Sequence, residues 1–387
     1  MATITPTIHP GMICTVEEFM RSITDTSIRC LTRGESLGLT AVTASALLSL
    51  LAVLYAMSII LRGVVWRFRH VREVRLHIFH QPMDLLIFCL FVADILQATG
   101  AVMDIKWIHT GKVEVGTFCN AQGIVQQLGE TGVAMTTLLI SLFTFFGIWM
   151  GKDIRSMALT STVVGAVWSF IILMVVLGNV INRGQDVHFQ APTPYWCWIS
   201  EGYLQWRIWG EYIWFWITLI VSTVIYVPLY FWSRGNIQID DRAWWKFSFQ
   251  RAGNSAVDPA LKGVRRRALI MLIYPLVYCV SILPLSIIRW ITFVNKGSES
   301  GTATFIILFI YGLSGACNVV LFLTTRPNTA LFGRVVAEGY AAGRAPSLLS
   351  EDRQSIRDNA NANEEETEAG QEKEGSEDIP LGRLPSR

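Results

Sequence analysis

The side chains in this chain that could do chemistry lie almost entirely inside long apolar runs. Asp94 stands in Leu90-Phe91-Val92-Ala93-Asp94-Ile95-Leu96. An ionised carboxylate in a bilayer costs several kcal/mol unless it is paired, hydrated or neutralised, so Asp94 must face the interior of a helix bundle. Two readings follow: a switch or ion-coordinating carboxylate facing Asn318, or a plain hydrogen bond that packs two helices. Glu130 sits in Gln126-Gln127-Leu128-Gly129-Glu130-Thr131-Gly132, and with Gln122 it forms a polar stripe along one helix. The stripe could line a cavity that binds a small polar ligand through amide and carboxylate hydrogen bonds. It could equally be polar packing, with the glycines allowing close helix approach.

The elements that carry these groups follow from composition. Of 387 residues, 52% are hydrophobic and 16% charged, too little polar material to cover a soluble domain. A crossing needs about 20 apolar residues. Seven runs qualify, at about 36–61, 82–103, 119–150, 157–180, 211–232, 268–291 and 302–325. Lipid leaves no partner for an open sheet edge, so all seven read as helices and the fold class is an all-α membrane protein, a seven-transmembrane helix bundle. The sixth run contains Pro275 and Pro284, which predict kinks. No basic start followed by an apolar core and cleavage site opens residues 1–35, so the first span is expected to target the chain.

Lys and Arg counts orient the bundle. Loops 62–81, 151–156 and 233–267 carry 5, 2 and 8 basic residues, whereas 104–118, 181–210 and 292–301 carry 2, 2 and 1. This predicts an extracellular amino terminus (1–35), a membrane domain (36–325), a membrane-proximal stretch (326–344) with a short amphipathic helix near 331–339, and a cytoplasmic carboxyl terminus. The net charge of +2 conceals an acidic tail: residues 345–387 hold 5 basic and 11 acidic groups, leaving 27 and 19 elsewhere. Such a tail should be disordered, and its serines, Ser347, Ser350, Ser355 and Ser376, offer phosphorylation sites.

Cys119 and Cys197 both fall on the outer, oxidising side, where a disulfide would tie the second outer loop over the bundle mouth. Whether Cys14 and Cys30 also pair stays open. Cys89, Cys279 and Cys317 lie within spans and read as apolar filler. Trp107, Trp196, Trp198, Trp206, Trp209, Trp214 and Trp216 gather at the outer boundary and read mainly as interfacial anchors, with Trp198 a candidate to stack a ligand. Trp168, deep in the fourth run, reads as a packing residue. On the inner face Arg62, Arg67, Arg69, Arg72 and Arg75, then Arg265, Arg266 and Arg267, form a basic rim that contacts anionic lipid and could receive a cytosolic partner.

No H-E-x-x-H, phosphate-binding glycine loop or G-x-S-x-G is present, which points away from an enzyme and leaves receptor, transporter or channel. No cofactor, metal or nucleic-acid partner is expected. The pieces Leu90-x-x-Ala93-Asp94, Cys119-x-x-Gln122-Gly123, Gln127-x-Gly129, Trp168, Cys197, Gly315-x-x-Asn318-x-x-x-Phe322 and Thr325-Arg326-Pro327 resemble G-protein-coupled receptors, in particular the fungal carbon-sensing (glucose) receptors and slime-mould cyclic AMP receptors. In place of the Asp/Glu-Arg-Tyr of rhodopsin-like receptors the chain reads Phe143-Thr144-Phe145. The resemblance implies an extracellular small-molecule ligand, nutrient or cyclic-AMP-like, and a heterotrimeric G protein alpha subunit feeding the cyclic AMP pathway. It further gives Asp94 and Asn318 the part of the carboxylate and amide that couple ligand binding to opening of the inner face, and Cys119 and Cys197 that of the receptor disulfide. From the residues themselves, Pro275 and Pro284 are candidates for the helix movement of activation, Gln122, Gln126, Glu130 and Trp198 for ligand contact, and Arg69, Arg72 and Arg265–Arg267 for the G-protein face. The alternative is a transporter or proton-coupled carrier using Asp94 and Glu130.

Overall fold

The computed structural model describes residues 11–70, 79, 81–149, 156–185, 187–234, 236–240, 243–249, 273–295 and 301–325. The expected positions Arg72, Arg265, Arg266 and Arg267, the 331–339 helix and the acidic tail lie outside the described residues. The chain is an all-α membrane protein, and among the described residues six helices are long and apolar enough to cross a bilayer. They are α2 (Arg33–His70), α3 (Pro82–Val102, continued by α4, Ile105–Thr110), α5 (Thr117–Trp149), α6 (Met157–Ile181), α8 (Ile213–Ser233) and the pair α10 (Gly301–Gly312) and α11 (Ser314–Thr325). A further helix, α9 (Ile273–Asn295), contributes the shorter described apolar run Leu276–Ile288.

Local chemistry sets the boundaries. Pro82 occupies the first turn of α3, where its missing N–H needs no partner. Ser156 caps α6, its Oγ accepting from the Leu159 N–H at 3.2 Å. Gly111, with φ of 69°, ends α4 in the left-handed conformation. A π-helical turn, Ile208–Tyr212, precedes α8 and turns Glu211 inward. Pro284 lies inside α9, and Pro275 stands in the first described turn of that helix.

Three expectations change. The run 302–325 is not one helix: α10 and α11 are interrupted at Leu313, and Ser49 Oγ accepts the freed Ala316 N–H at 3.0 Å. Irregular backbone at membrane depth persists only where it is satisfied inside the protein, and Ser49 of α2 supplies that partner. Residues 11–35 form a folded cap instead of a plain segment. In it α1 (Val16–Thr24) leads to β1 (Ile28–Cys30), which pairs antiparallel with β2 (Lys112–Glu114), and Cys14 is bonded to Cys30. Two further hairpins appear, β3 (Gln190–Pro192) with β4 (Cys197–Ile199), and β5 (Ile237–Asp240) with β6 (Ala243–Phe249). All but the seven-residue β6 are three or four residues long, below what an alternating pattern can signal.

Helix α5 is the axis of the bundle. It packs against α3, α6, α8 and both strands of the second hairpin. The bundle therefore has a cap end, carrying the first two hairpins and both disulfides, and a far end, where α2 finishes and α3 begins. At the far end Val53, Ala56, Ile60, Ile87, Phe91, Val319 and Phe322 form a buried apolar cluster, with the Phe91 and Phe322 rings edge-to-face at 5.4 Å.

Candidate functional site

Between α2, α3, α5 and the α10–α11 break lies a cavity of about 500 Å³ of empty space, counting its mouth. Its polar lining comprises Ser49, Asp94, Gln97, Asp104, Gln126, Glu130, Tyr311 and Ser314. Trp196 from the second hairpin reaches it from the cap end.

The helix period explains the placement. Asp94, Gln97 and Ala101 share one face of α3, and Gln126 and Glu130 are one turn apart on α5. Glycines let the backbones meet. A side chain at Gly129 would run into the backbone of Gln97, and one at Gly315 would come within 2.5 Å of Ser49 Oγ and 3.2 Å of Asp94 Cβ. Those contacts press α3 against α5 and α11 against α2 and α3, leaving polar side chains to fill what remains.

At the inner limit of the cavity Asn318 Nδ2 donates to both Asp94 oxygens, at 3.3 and 3.0 Å. The pairing expected from sequence is present, and it spans α3 and α11. One turn nearer the cap, Gln97 Nε2 donates to Ser314 Oγ at 3.2 Å, bridging α3 to the first residue after the break. Gln126 Nε2 donates to Glu130 Oε1 at 2.9 Å. Because a carboxylate only accepts, that bond fixes the amide orientation and leaves Gln126 Oε1 facing away from Glu130. Gln97 and Gln126 are 7% and 8% exposed, and the Oε1 of each has no hydrogen-bond partner among the described residues.

Gln122 and Trp198 do not line the cavity. Gln122 is fully buried and saturated: its Nε2 donates to Asp104 Oδ1 at 2.6 Å and Gly100 O at 3.2 Å, while its Oε1 accepts from Trp107 Nε1 at 2.7 Å and Cys197 N at 3.1 Å. It anchors the second hairpin. Trp198 donates its indole N–H to Glu211 Oε2 at 3.0 Å, with Arg207 stacked over its ring at 4.9 Å. Trp107, Trp196 and Trp198 are buried, whereas Trp209 and Trp216 are exposed, so only part of the tryptophan cluster has the placement of an interfacial anchor. A buried indole must find an acceptor, and Gln122 and Glu211 provide two of them. Trp168 packs against the main core beside Gly132. Arg69 is exposed at the far end of α2.

Sequence reasoning missed Ser49, Gln97, Asp104, Ser314, Trp196 and Glu211. Gln97 had a signal, being one turn from Asp94. The others become visible only when the helices are assembled.

The cap is fastened to the helices around this site. Cys119 is bonded to Cys197, tying the second hairpin to the start of α5, and the Tyr195 ring of that hairpin meets Phe305 of α10 at a tilt of 41° with centroids 4.6 Å apart. Arg29 lies over the Tyr195 ring at 5.6 Å. Lys112 bridges Glu18 at 2.8 Å and Glu114 at 2.9 Å. The Lys112 ammonium, with the Thr15 backbone N–H, lowers the Glu18 carboxyl to about 2, and Glu18 and Glu114 in turn raise the Lys112 ammonium. Asp25 is lowered by hydrogen bonds from the Ser27 side chain and backbone.

No family model matches the chain, and no curated protein sequence matches it.

Proposed function

We propose that this chain is a seven-span G-protein-coupled receptor of the plasma membrane, with the cap outside and the basic rim in the cytosol, in which an extracellular small molecule drives nucleotide exchange on a heterotrimeric G protein. The observation that carries this reading is the Asp94–Asn318 hydrogen bond at the floor of a polar cavity, between a continuous helix and a broken one. Both disulfides sit at the cap end, which suits an oxidising exterior. Helix α9 supplies the seventh crossing. A ligand that contacts Gln97, Gln126 or Glu130 more favourably in one arrangement of α3, α5 and α11 shifts the population towards it by the difference in affinity. The interruption at Leu313 gives α11 a place to turn, and Asp94–Asn318 transmits the turn to the Phe91–Phe322 contact below. Pro284 gives α9 a second point of bending. Arg69, with Arg72 and Arg265–Arg267, then borders the groove that receives the alpha subunit, and exchange feeds the cyclic AMP pathway. Lipid covers the outward apolar faces.

A proton-coupled carrier using Asp94 and Glu130 would need polar groups continuing past Asn318. The buried side chains next to Asn318 on that side, Val53, Phe91, Val319 and Phe322, are apolar, and the next buried carboxyl, Asp84, lies beyond them in the first turn of α3.

The test is guanine-nucleotide exchange by each host Gα with the purified chain in nanodiscs. Phe322→Ala, which weakens the far-end contact, should raise exchange without ligand. Absence of exchange with every Gα, for both wild type and Phe322→Ala, would sink the receptor reading.

A further inference from the structure

The cavity is rich in carboxyl groups and in hydrogen-bond acceptors. Asp94, Asp104 and Glu130 all line it, and no Lys, Arg or His does so among the described residues. The amide groups do not offset this. Gln97 commits one N–H to Ser314 and Gln126 one to Glu130, while the Oε1 of each, an acceptor, stays without a hydrogen-bond partner among the described residues. These two acceptor atoms are more than nine-tenths buried and lack partners among the described residues, although a buried oxygen without a hydrogen bond is costly. Water or a ligand carrying N–H or O–H groups relieves that cost. A phosphate or carboxylate would meet carboxylates and amide oxygens and find no cation. Trp196 lines the cap-end wall, and an aromatic ring there can attract a cation.

We infer that the cavity binds a small organic cation, an alkyl or aryl ammonium, with its charged head towards Glu130 and Asp104 and its N–H groups donating to Gln97 and Gln126. This rests on the receptor reading only for its consequence; the binding itself needs the cavity alone. It departs from the anionic, cyclic-AMP-like ligand that the family resemblance implies. It also assigns Trp196, not Trp198, as the tryptophan facing the ligand.

The experiment is equilibrium binding to the full chain in nanodiscs at neutral pH, read by calorimetry and by thermal shift. The probes are methylammonium, benzylamine and putrescine against benzyl alcohol, glucose and cyclic AMP. At least one amine should bind saturably, benzylamine about 10- to 100-fold tighter than its neutral isostere benzyl alcohol, as a charge-assisted hydrogen bond in a buried site requires. Glu130→Gln keeps the acceptor for Gln126 and should weaken amine binding about tenfold. Asp104→Asn provides an independent check should that variant misfold, and a retained melting transition certifies each protein. No binding of any amine up to about 10 mM by folded wild type, or equal binding of neutral or anionic probes, would overturn the inference. Nucleotide exchange run on the same samples separates the two proposals. Amine binding without exchange on any Gα leaves the cation site and removes the receptor; exchange driven by glucose or cyclic AMP without amine binding does the reverse.

Discussion

Helices α5 and α6 follow one another in the chain and are both long enough to cross a bilayer, yet they occupy opposite situations. In α5, 72% of the most apolar window is buried; in α6, the more apolar of the two, 22% is. Gln122, Gln126, Gln127, Glu130, Thr131, Thr137 and Ser141 of α5 are buried, while Leu159, Ile172, Leu173, Val176 and Val180 of α6 are exposed. In water the ranking would invert. Lipid tails are as apolar as leucine, so nothing drives α6 inward, and close packing and interhelical hydrogen bonds select which helix sits at the centre. Wetness marks the axis of this protein, and the cavity follows from it.

The contrast is sharpest at glycine. Gly129→Val on α5 forces a side chain into the backbone of Gln97, which cannot yield, and should cost about 3 kcal/mol or more, seen as loss of monodisperse protein on size-exclusion. Gly165→Val on α6 meets nothing within 4 Å and should shift stability by less than about 0.5 kcal/mol. If both fail alike, α5 is not the packing axis. Next, α5 is bonded to the cap and α6 is not. The double change Cys119→Ser with Cys197→Ser should cost about 2–4 kcal/mol in thermal unfolding under non-reducing conditions. A smaller effect separates amides that cross between helices from those that do not. Asn318 reaches Asp94 on another helix, whereas Asn179 of α6 donates only to Val175 O of its own helix, at 2.8 Å. A double-mutant cycle on Asp94 and Asn318 should give a coupling of roughly 0.5–2 kcal/mol, and Asn179→Leu should stay within about 0.5 kcal/mol of wild type.

The smallest effect lies outside the membrane, at the cap. Glu18 titrates near 2 in the folded cap against 4.5 ordinarily, so its contribution is full above about pH 4.5 and fades as pH falls through 2. Lys112 is shifted the other way, so its contribution is full below its ordinary 10.5 and fades only above that. The protection factors of the β1–β2 amides, exchange rates corrected for the intrinsic effect of pH, should therefore fall on acidification, and Lys112→Met should blunt that dependence. Unchanged acid sensitivity in Lys112→Met would remove the ion pair as its cause.

Much of this was legible in the residues, for physical reasons that also mark where reading stops. An isolated carboxylate in oil demands a polar partner, which is why Asp94 pointed to Asn318. The amide and carboxylate stripe identified α5 as the central helix by the same logic. Periodicity could not separate Gln122 from Gln126, because residues four apart share a face. The distinction comes from Asp104 and Trp107 at the start of α4 and from Cys197 in β4, which converge on Gln122 from two distant parts of the chain. The interruption at Leu313 falls in Gly312-Leu313-Ser314-Gly315, a weak signal inside an otherwise apolar run, and what makes it tolerable, Ser49, comes from another helix.

The claim underlying the whole account is that the wet column opens at the cap end and is closed at the far end by Phe91 and Phe322. Ala98 lines the cavity between them. Ala98→Cys, exposed to a membrane-impermeant trimethylammonium thiosulfonate, should react on intact cells above the wild-type background and stay unreactive in inside-out vesicles. Equal reaction from both faces, or reaction from the cytosolic face alone, would contradict the account and leave a transport path in its place.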